Sequence, residues 1–105
     1  MGANSCLGDQ VIVYCLGKVS IGERVSISQH THLCAGSHDY ISDDMPLLRL
    51  PITICDDVWL AADSFVGPNV TVGEGAILGA RGVAMHDLDP QTIYVGNPAT
   101  IIKKR

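Results

Sequence analysis

Between Ile54 and Leu78 an aliphatic residue returns at every sixth position: Ile54, Leu60, Val66, Val72 and Leu78. Four places behind each stands a smaller or β-branched residue: Val58, Ser64, Val70, Ala76 and Gly82. The same rule operates earlier, at Ile21, Ile27 and Leu33, followed by Val25, Thr31 and Ser37. Gly or Ala follows the aliphatic residue at Gly22, Ala61, Gly67, Gly73 and Gly79. A period of six fits neither the 3.6-residue repeat of an amphipathic helix nor plain strand alternation. It fits a coil of short strands and tight corners, in which each hexad is one flat side of a prism.

Side chains alternate across a strand, so the aliphatic residue of each hexad points inward and fills the axis. The residue four places later also points inward, close to a corner where a larger side chain would collide. Gly22, Gly67, Gly73, Gly75 and Gly79 are expected to supply corners with unusual φ and ψ. Glu23, Asp56, Asp57, Asn69 and Glu74 suit the watered outside of those corners. Three sides return the chain to its start one strand spacing higher, about 4.8 Å. Residues eighteen apart then stack, Ile54 under Val72 and Leu60 under Leu78.

The chain's 105 residues suffice for one domain. Aromatic residues make up only 5%, so the core must be layers of Ile, Val, Leu and Ala. The net charge is −4 and no Lys/Arg stripe interleaves with aromatics, which argues against a nucleic-acid partner. No apolar run is long enough to cross a bilayer, and no signal-peptide pattern opens the chain, so a cytoplasmic location without membrane insertion is expected. Cys6, Cys15, Cys34 and Cys55 lack CxxC or CxxxC spacing, so they read as free thiols rather than zinc ligands.

Along the chain, residues 1–20 hold looser repeats starting at Leu7 and Val13, and residues 21–38 form three clean hexads. Nothing before Cys6 reads as a cap, which leaves the first coil for another subunit or segment to cover, or marks a shortened form. Residues 39–53 break the pattern and read as a loop pushed out of the wall, with Asp43, Asp44, Pro46 and Pro51 in exposed turns. The coil resumes over 54–89, and Ile93–Val95 reads as a strand. Asn97-Pro98 resembles a helix N-cap with proline at the first helical position, so 97–105 is expected to be a short helix after a 1–96 coil domain.

His38 closes the last clean hexad and opens the loop. Trp59, the only tryptophan, holds the same final place in hexad 54–59. If the loop spans two sides plus three residues, the pair lies one coil apart on one edge. If it replaces a side, the two fall on different edges. An indole can hold an imidazole in place, and an imidazole titrating near neutrality can take a proton from a hydroxyl. A histidine in a β wall also serves structure alone.

Four segments carry a resemblance: Ser28 to Tyr40 (SQHTHLCAGSHDY), Val58 to Ala62 (VWLAA), Val66 to Gly73 (VGPNVTVG) and Val95 to Ala99 (VGNPA). Together they resemble the hexapeptide-repeat acyltransferases, in particular the colanic-acid-type sugar O-acetyltransferases, over essentially the whole chain. The resemblance implies an all-β left-handed parallel β-helix; periodicity alone leaves the hand open. It implies acetyl transfer from acetyl-CoA to a hydroxyl of a sugar or polysaccharide precursor, by a homotrimer whose grooves hold the donor. It places the general base at His38 and its neighbouring indole at Trp59. It implies donor contacts at Ala61, Ala62, Gly79 and Ala80, with N–H groups near Ala61 and Ala62 facing the oxyanion. Asp39 and Tyr40 would meet the acceptor, and Lys103 and Lys104 the CoA phosphates, although a solvated tail explains those lysines as well. Relatives often carry Thr-Lys where this chain has Met85-His86, so a phosphate contact there is weakened or depends on a protonated His86.

Two other readings use the same scaffold. A gamma-class carbonic anhydrase would hold interfacial zinc with histidines such as His30, His32 and His38. His30 and His32 are only two apart, and the expected pair four apart is missing, so no metal is expected. A non-catalytic trimer, an assembly module or a truncated enzyme, is favoured by the short N-terminal part and by Met85-His86.

Overall fold

A computed structural model describes all 105 residues, and every regular element in it is a strand. The first face stacks β1 (Cys6–Leu7), β4 (Ser26–Ile27), β9 (Trp59–Leu60), β12 (Ile77–Leu78) and β14 (Thr92–Val95). The second stacks β2 (Ile12–Tyr14), β5 (His32–Cys34), β10 (Phe65–Val66) and β13 (Val83–Ala84). The third stacks β3 (Val19–Ile21), β8 (Ile52–Ile54) and β11 (Thr71–Val72), extended by a bridge from Val72 to Leu88. All pairings within the three faces are parallel. This is the left-handed parallel β-helix, with about four coils, that the resemblance implied.

Register follows the hexads. Trp59 pairs with Ile77 and Thr53 with Thr71, each eighteen residues on. Ile27, Leu60, Leu78 and Tyr94 therefore stack inside the first face, and Leu33, Val66 and Ala84 inside the second. The side chains four places behind the aliphatic residues, Val25, Thr31, Val58, Ser64, Val70 and Ala76, are buried as well. Thr31 and Ser64 are the polar members. The Thr31 hydroxyl lies 3.0 Å from the Ala61 carbonyl and 3.3 Å from Ser64 Oγ, so burial leaves neither group unpaired.

The corners differ from the expectation for glycine. Residues with positive φ include Gln10, Arg24, His30, Asp57, Asp63, Asn69, Arg81 and Gln91, and among the five named glycines only Gly75. Gly22, Gly67, Gly73 and Gly79 are instead sites of close approach. A Cβ on Gly73 would stand 2.6 Å from the backbone nitrogen of Pro90 in the next coil. Gly75 apart, the left-handed residue of these tight corners carries a polar side chain that water can solvate, which makes the αL conformation tolerable without glycine.

The excursion from the wall also has different limits. From Ser26 to Trp59 is thirty-three residues for one coil, against eighteen for the next. The extra length leaves after Ala35 as an antiparallel hairpin, β6 (Gly36–His38) with β7 (Leu47–Arg49), and the wall resumes at Ile52. The carbonyl of Ala35 accepts from both Gly17 and Leu50, closing the base of the hairpin.

The expected helix over 97–105 is a strand. Residues 96–99 turn, and β15 (Thr100–Lys104) runs back antiparallel to β14. The last coil leaves the edge of β14 unpaired, and Thr100, Ile101 and Ile102 are β-branched residues that suit a ladder better than a helix. Arg105 fastens the end: its guanidinium donates to the carbonyls of Asp57 and Gly75, both at 3.0 Å.

Candidate functional site

His38 ends β6, paired with Leu47 at the turn end of the hairpin that leaves between the second and third faces. Its ring is exposed, and its Nδ1 lies 2.9 Å from the carbonyl oxygen of Met45. A carbonyl only accepts, so Nδ1 carries the hydrogen and Nε2 of the neutral ring is left as an acceptor. The hairpin thus selects a tautomer as well as a position. Asp39 follows, its N–H donating to the Pro46 carbonyl and its carboxylate accepting from Ile41 N–H. Tyr40 is 80% exposed.

Trp59 stands elsewhere. It points outward from the first face, in register with Ser26 below and Ile77 above. The whole third face separates it from His38 within one chain, so the pair falls on different edges. Its indole N–H donates to Ser28 Oγ at 3.0 Å rather than to an imidazole.

Ala61, Gly79 and Val95 form an outward row on the first face, and Ala62 and Ala80 begin the neighbouring corner. Two details change the expected roles. The Ala61 N–H already donates to the Leu78 carbonyl at 2.9 Å, so it has no hydrogen left for an oxyanion. The Ala62 N–H and the Ala80 N–H make no hydrogen bond within the chain. The space a Cβ would take on Gly79 is filled by Val95, whose Cγ1 would lie at 2.8 Å. Gly79 therefore makes room for Val95; it and Ala62 are half-buried, and Ala80 is the exposed member of the set.

Of the two lysines, Lys103 continues the outward row of Trp59, Ile77 and Ile93 at the top of the first face. Lys104 is bonded to the Thr92 hydroxyl at 3.1 Å. Met85 points out of the second face over Gly67, and exposed His86 follows it toward the corner from which the hairpin also leaves. His30 is the left-handed residue of a corner and not part of a strand, whereas His32 lies on β5 with its ring edge-on to Phe65.

The predicted residues thus form two groups. One lies on the first face and its corner: Trp59, Ala61, Ala62, Ala80 and Lys103. The other lies at the hairpin corner: His38, Asp39 and Tyr40, with Met85-His86 in higher coils. Between them the second face shows Ile12, Tyr14, Phe65, Val83 and Met85 to the outside. Sequence reasoning missed Ser28, whose signal was only that a serine stands two places beyond the residue paired with Trp59.

No protein-family model matches the chain. A protein of Escherichia coli K12 named for acetyl transfer in colanic acid biosynthesis, WcaF, is 41% identical over all 105 residues, which span 58% of that protein. A maltose O-acetyltransferase from Clostridium difficile 630 superposes with a TM-score of 0.82 at 26% identity, over 96% of this chain and 59% of that one. AntD, an N-acyltransferase from Bacillus cereus solved with dTDP and 3-hydroxybutyryl-CoA, superposes with a TM-score of 0.87 at 26% identity, over 96% and 60%. The chain spans little more than half the length of these proteins.

Proposed function

The chain belongs to the hexapeptide-repeat acyltransferases, and we propose that it transfers an acetyl group from acetyl-CoA to a hydroxyl of a sugar or polysaccharide precursor. The observation that carries this reading is the His38 tautomer. With Nδ1–H held by the Met45 carbonyl, Nε2 offers a lone pair to an incoming hydroxyl. An alcohol is a poor nucleophile until a base takes its proton. The imidazole takes it as the oxygen attacks the thioester carbonyl. The oxyanion then meets the free N–H of Ala62. Collapse expels the CoA thiolate, which recovers the proton from the imidazolium, so the ring ends as it began.

One chain holds the two groups of residues on different edges, and a homotrimer would bring the hairpin of one copy to the first face of the next. One feature supports that arrangement. The outward apolar side chains of the second face lie between the two groups, where a neighbour would cover them. Acetyl-CoA would lie against Ala62 and Ala80, with Lys103 toward its phosphates. AntD is solved with an acyl-CoA, which supports a donor of that class. The four unpaired cysteines suit a reducing compartment, and we place the protein in the cytoplasm.

The test is His38→Ala in the purified protein, followed by CoA release with a panel of sugars, CoA binding by calorimetry, and mass by sedimentation. The trimer and CoA affinity are expected to persist while turnover falls by about a hundredfold or more. Unchanged turnover would remove His38 from the reaction. CoA binding by the unmodified protein without turnover on any acceptor would identify a non-catalytic trimer instead.

A further inference from the structure

Trp59 is 46% exposed, yet its indole is not free to turn. Its Nε1–H donates to Ser28 Oγ at 3.0 Å, reaching diagonally down to the preceding coil, since Trp59 itself pairs with Ser26. That is the only hydrogen bond the indole makes. Tryptophan N–H donates and never accepts, so the serine hydroxyl must accept here. Two dihedral angles place an indole, and one bond at its far edge fixes both.

The position matters because of what lies beside it. The outward row one place along the strands reads Ser28, Ala61, Gly79 and Val95 from bottom to top. Val95 fills the space over Gly79 and ends the row above. The indole, crossing from Trp59 to Ser28, ends it below. We propose that Ser28 is a positioning residue that acts through Trp59: it holds the indole as a fixed lower wall, and that wall sets the size of acyl group accepted. This rests on the reading of the first face as the acyl-donor side. A freed indole would open about one coil spacing, roughly 4.8 Å, enough for a longer acyl chain.

Ser28→Ala removes only the hydroxyl. The backbone bonds of residue 28, from its N–H to the Leu60 carbonyl and to its carbonyl from Thr31, remain. Trp59 is the sole tryptophan, so its fluorescence reports on one indole. The expected results are lower tryptophan anisotropy in Ser28→Ala and restoration in Ser28→Thr. The kcat/KM ratio of butyryl-CoA to acetyl-CoA should rise by about tenfold in Ser28→Ala, a size that one or two methylene groups can carry. Trp59→Phe keeps a ring without the N–H, and should shift the ratio in the same direction without adding to Ser28→Ala. Unchanged anisotropy in Ser28→Ala would overturn the positioning role. Changed anisotropy with an unchanged acyl ratio would overturn the link to acyl size. Failure of the unmodified protein to use any acyl-CoA would refute the acetyl-transfer reading and the acyl-size role together, while the anisotropy still decides whether Ser28 fixes the indole.

Discussion

Ala62→Pro isolates one hydrogen atom of the proposed mechanism. The Ala62 N–H makes no bond within the chain, so proline there removes no ladder interaction. The corner itself accepts proline. Ala62 is followed by Asp63 at φ 58°, and the Ala61 carbonyl accepts from Ser64 N–H at 3.3 Å. That is the pattern of a type II turn, in which proline is favoured at the second position. The chain already uses it twice: Pro68 precedes Asn69 at φ 62°, and Pro90 precedes Gln91 at φ 54°. Residue 61 directly follows β9 and still donates in the ladder, to the Leu78 carbonyl, which suits the extended backbone that a following proline demands.

Stability should therefore hold or rise, by about 0.4–1 kcal/mol, because proline restricts the unfolded chain. Catalysis should not hold. Loss of one oxyanion donor costs about 2.7–4 kcal/mol in the transition state, or roughly 10²–10³ in kcat. Ala62→Gly keeps the N–H and serves as the comparison, expected within a few-fold of the unmodified protein. The assay is release of free CoA thiol under saturating acetyl-CoA and sugar, alongside thermal unfolding and sedimentation. A folded trimer of Ala62→Pro with kcat within about threefold of the unmodified protein would show that this N–H has no part in the reaction.

The remaining predictions address the core, the charges and the donor's phosphates. Leu60 is fully buried, stacked between Ile27 and Leu78, so Leu60→Ala should cost about 2.7–5 kcal/mol in denaturant unfolding. The hydrogen bond and charge of Arg24 hold the Asp57 carboxyl below its ordinary range. A depressed folded pKa gives stability that is present above the unfolded value, about 3.9, and lost as pH falls through the folded one. Arg24→Ala should therefore flatten that acid-side part of the thermal midpoint's pH profile, and only modestly, since the pair is exposed. Lys103→Ala should raise KM for acetyl-CoA at low salt, with the difference shrinking as salt is added. Lys104→Ala should not, because its amine is engaged by Thr92.

Much of the fold was legible because one physical requirement repeats. Each coil must fill the same axial space, so Leu60, Val66, Val72 and Leu78 declare themselves by spacing and are all buried. The corners were less legible, because two reasons for glycine look alike in sequence. A positive φ and a close approach both call for a missing Cβ, and only the coil above distinguishes them: Pro90 over Gly73, Val95 over Gly79. The C-terminal segment misled for a different reason. Asn97-Pro98 is a local signal for a helix start, but the unpaired edge of β14 is a tertiary demand, and it won.

The candidate residues could be named one by one from the sequence but not arranged in space, and the reason lies in the loop. Six residues per side fix the face of any residue only while the count is unbroken. Between Leu33 and Ile54 the count is broken by twenty-one residues, which suit one side with a hairpin as well as three sides with a small insertion. The register decides for one side, because Leu33 pairs with Val66 and Ile54 with Val72 on successive faces. That choice moves His38 away from Trp59. A base and a groove on different edges of a rigid prism cannot close on each other by bending, since the coil between them is fully laddered. They can act together only across a contact between copies. The apolar ladder of the second face is then as much a part of the proposed chemistry as the imidazole. Replacing Tyr14 and Met85 together by Glu should therefore give a folded monomer with intact hexads and no turnover. A monomer that still turned over acetyl-CoA would refute the division of the site.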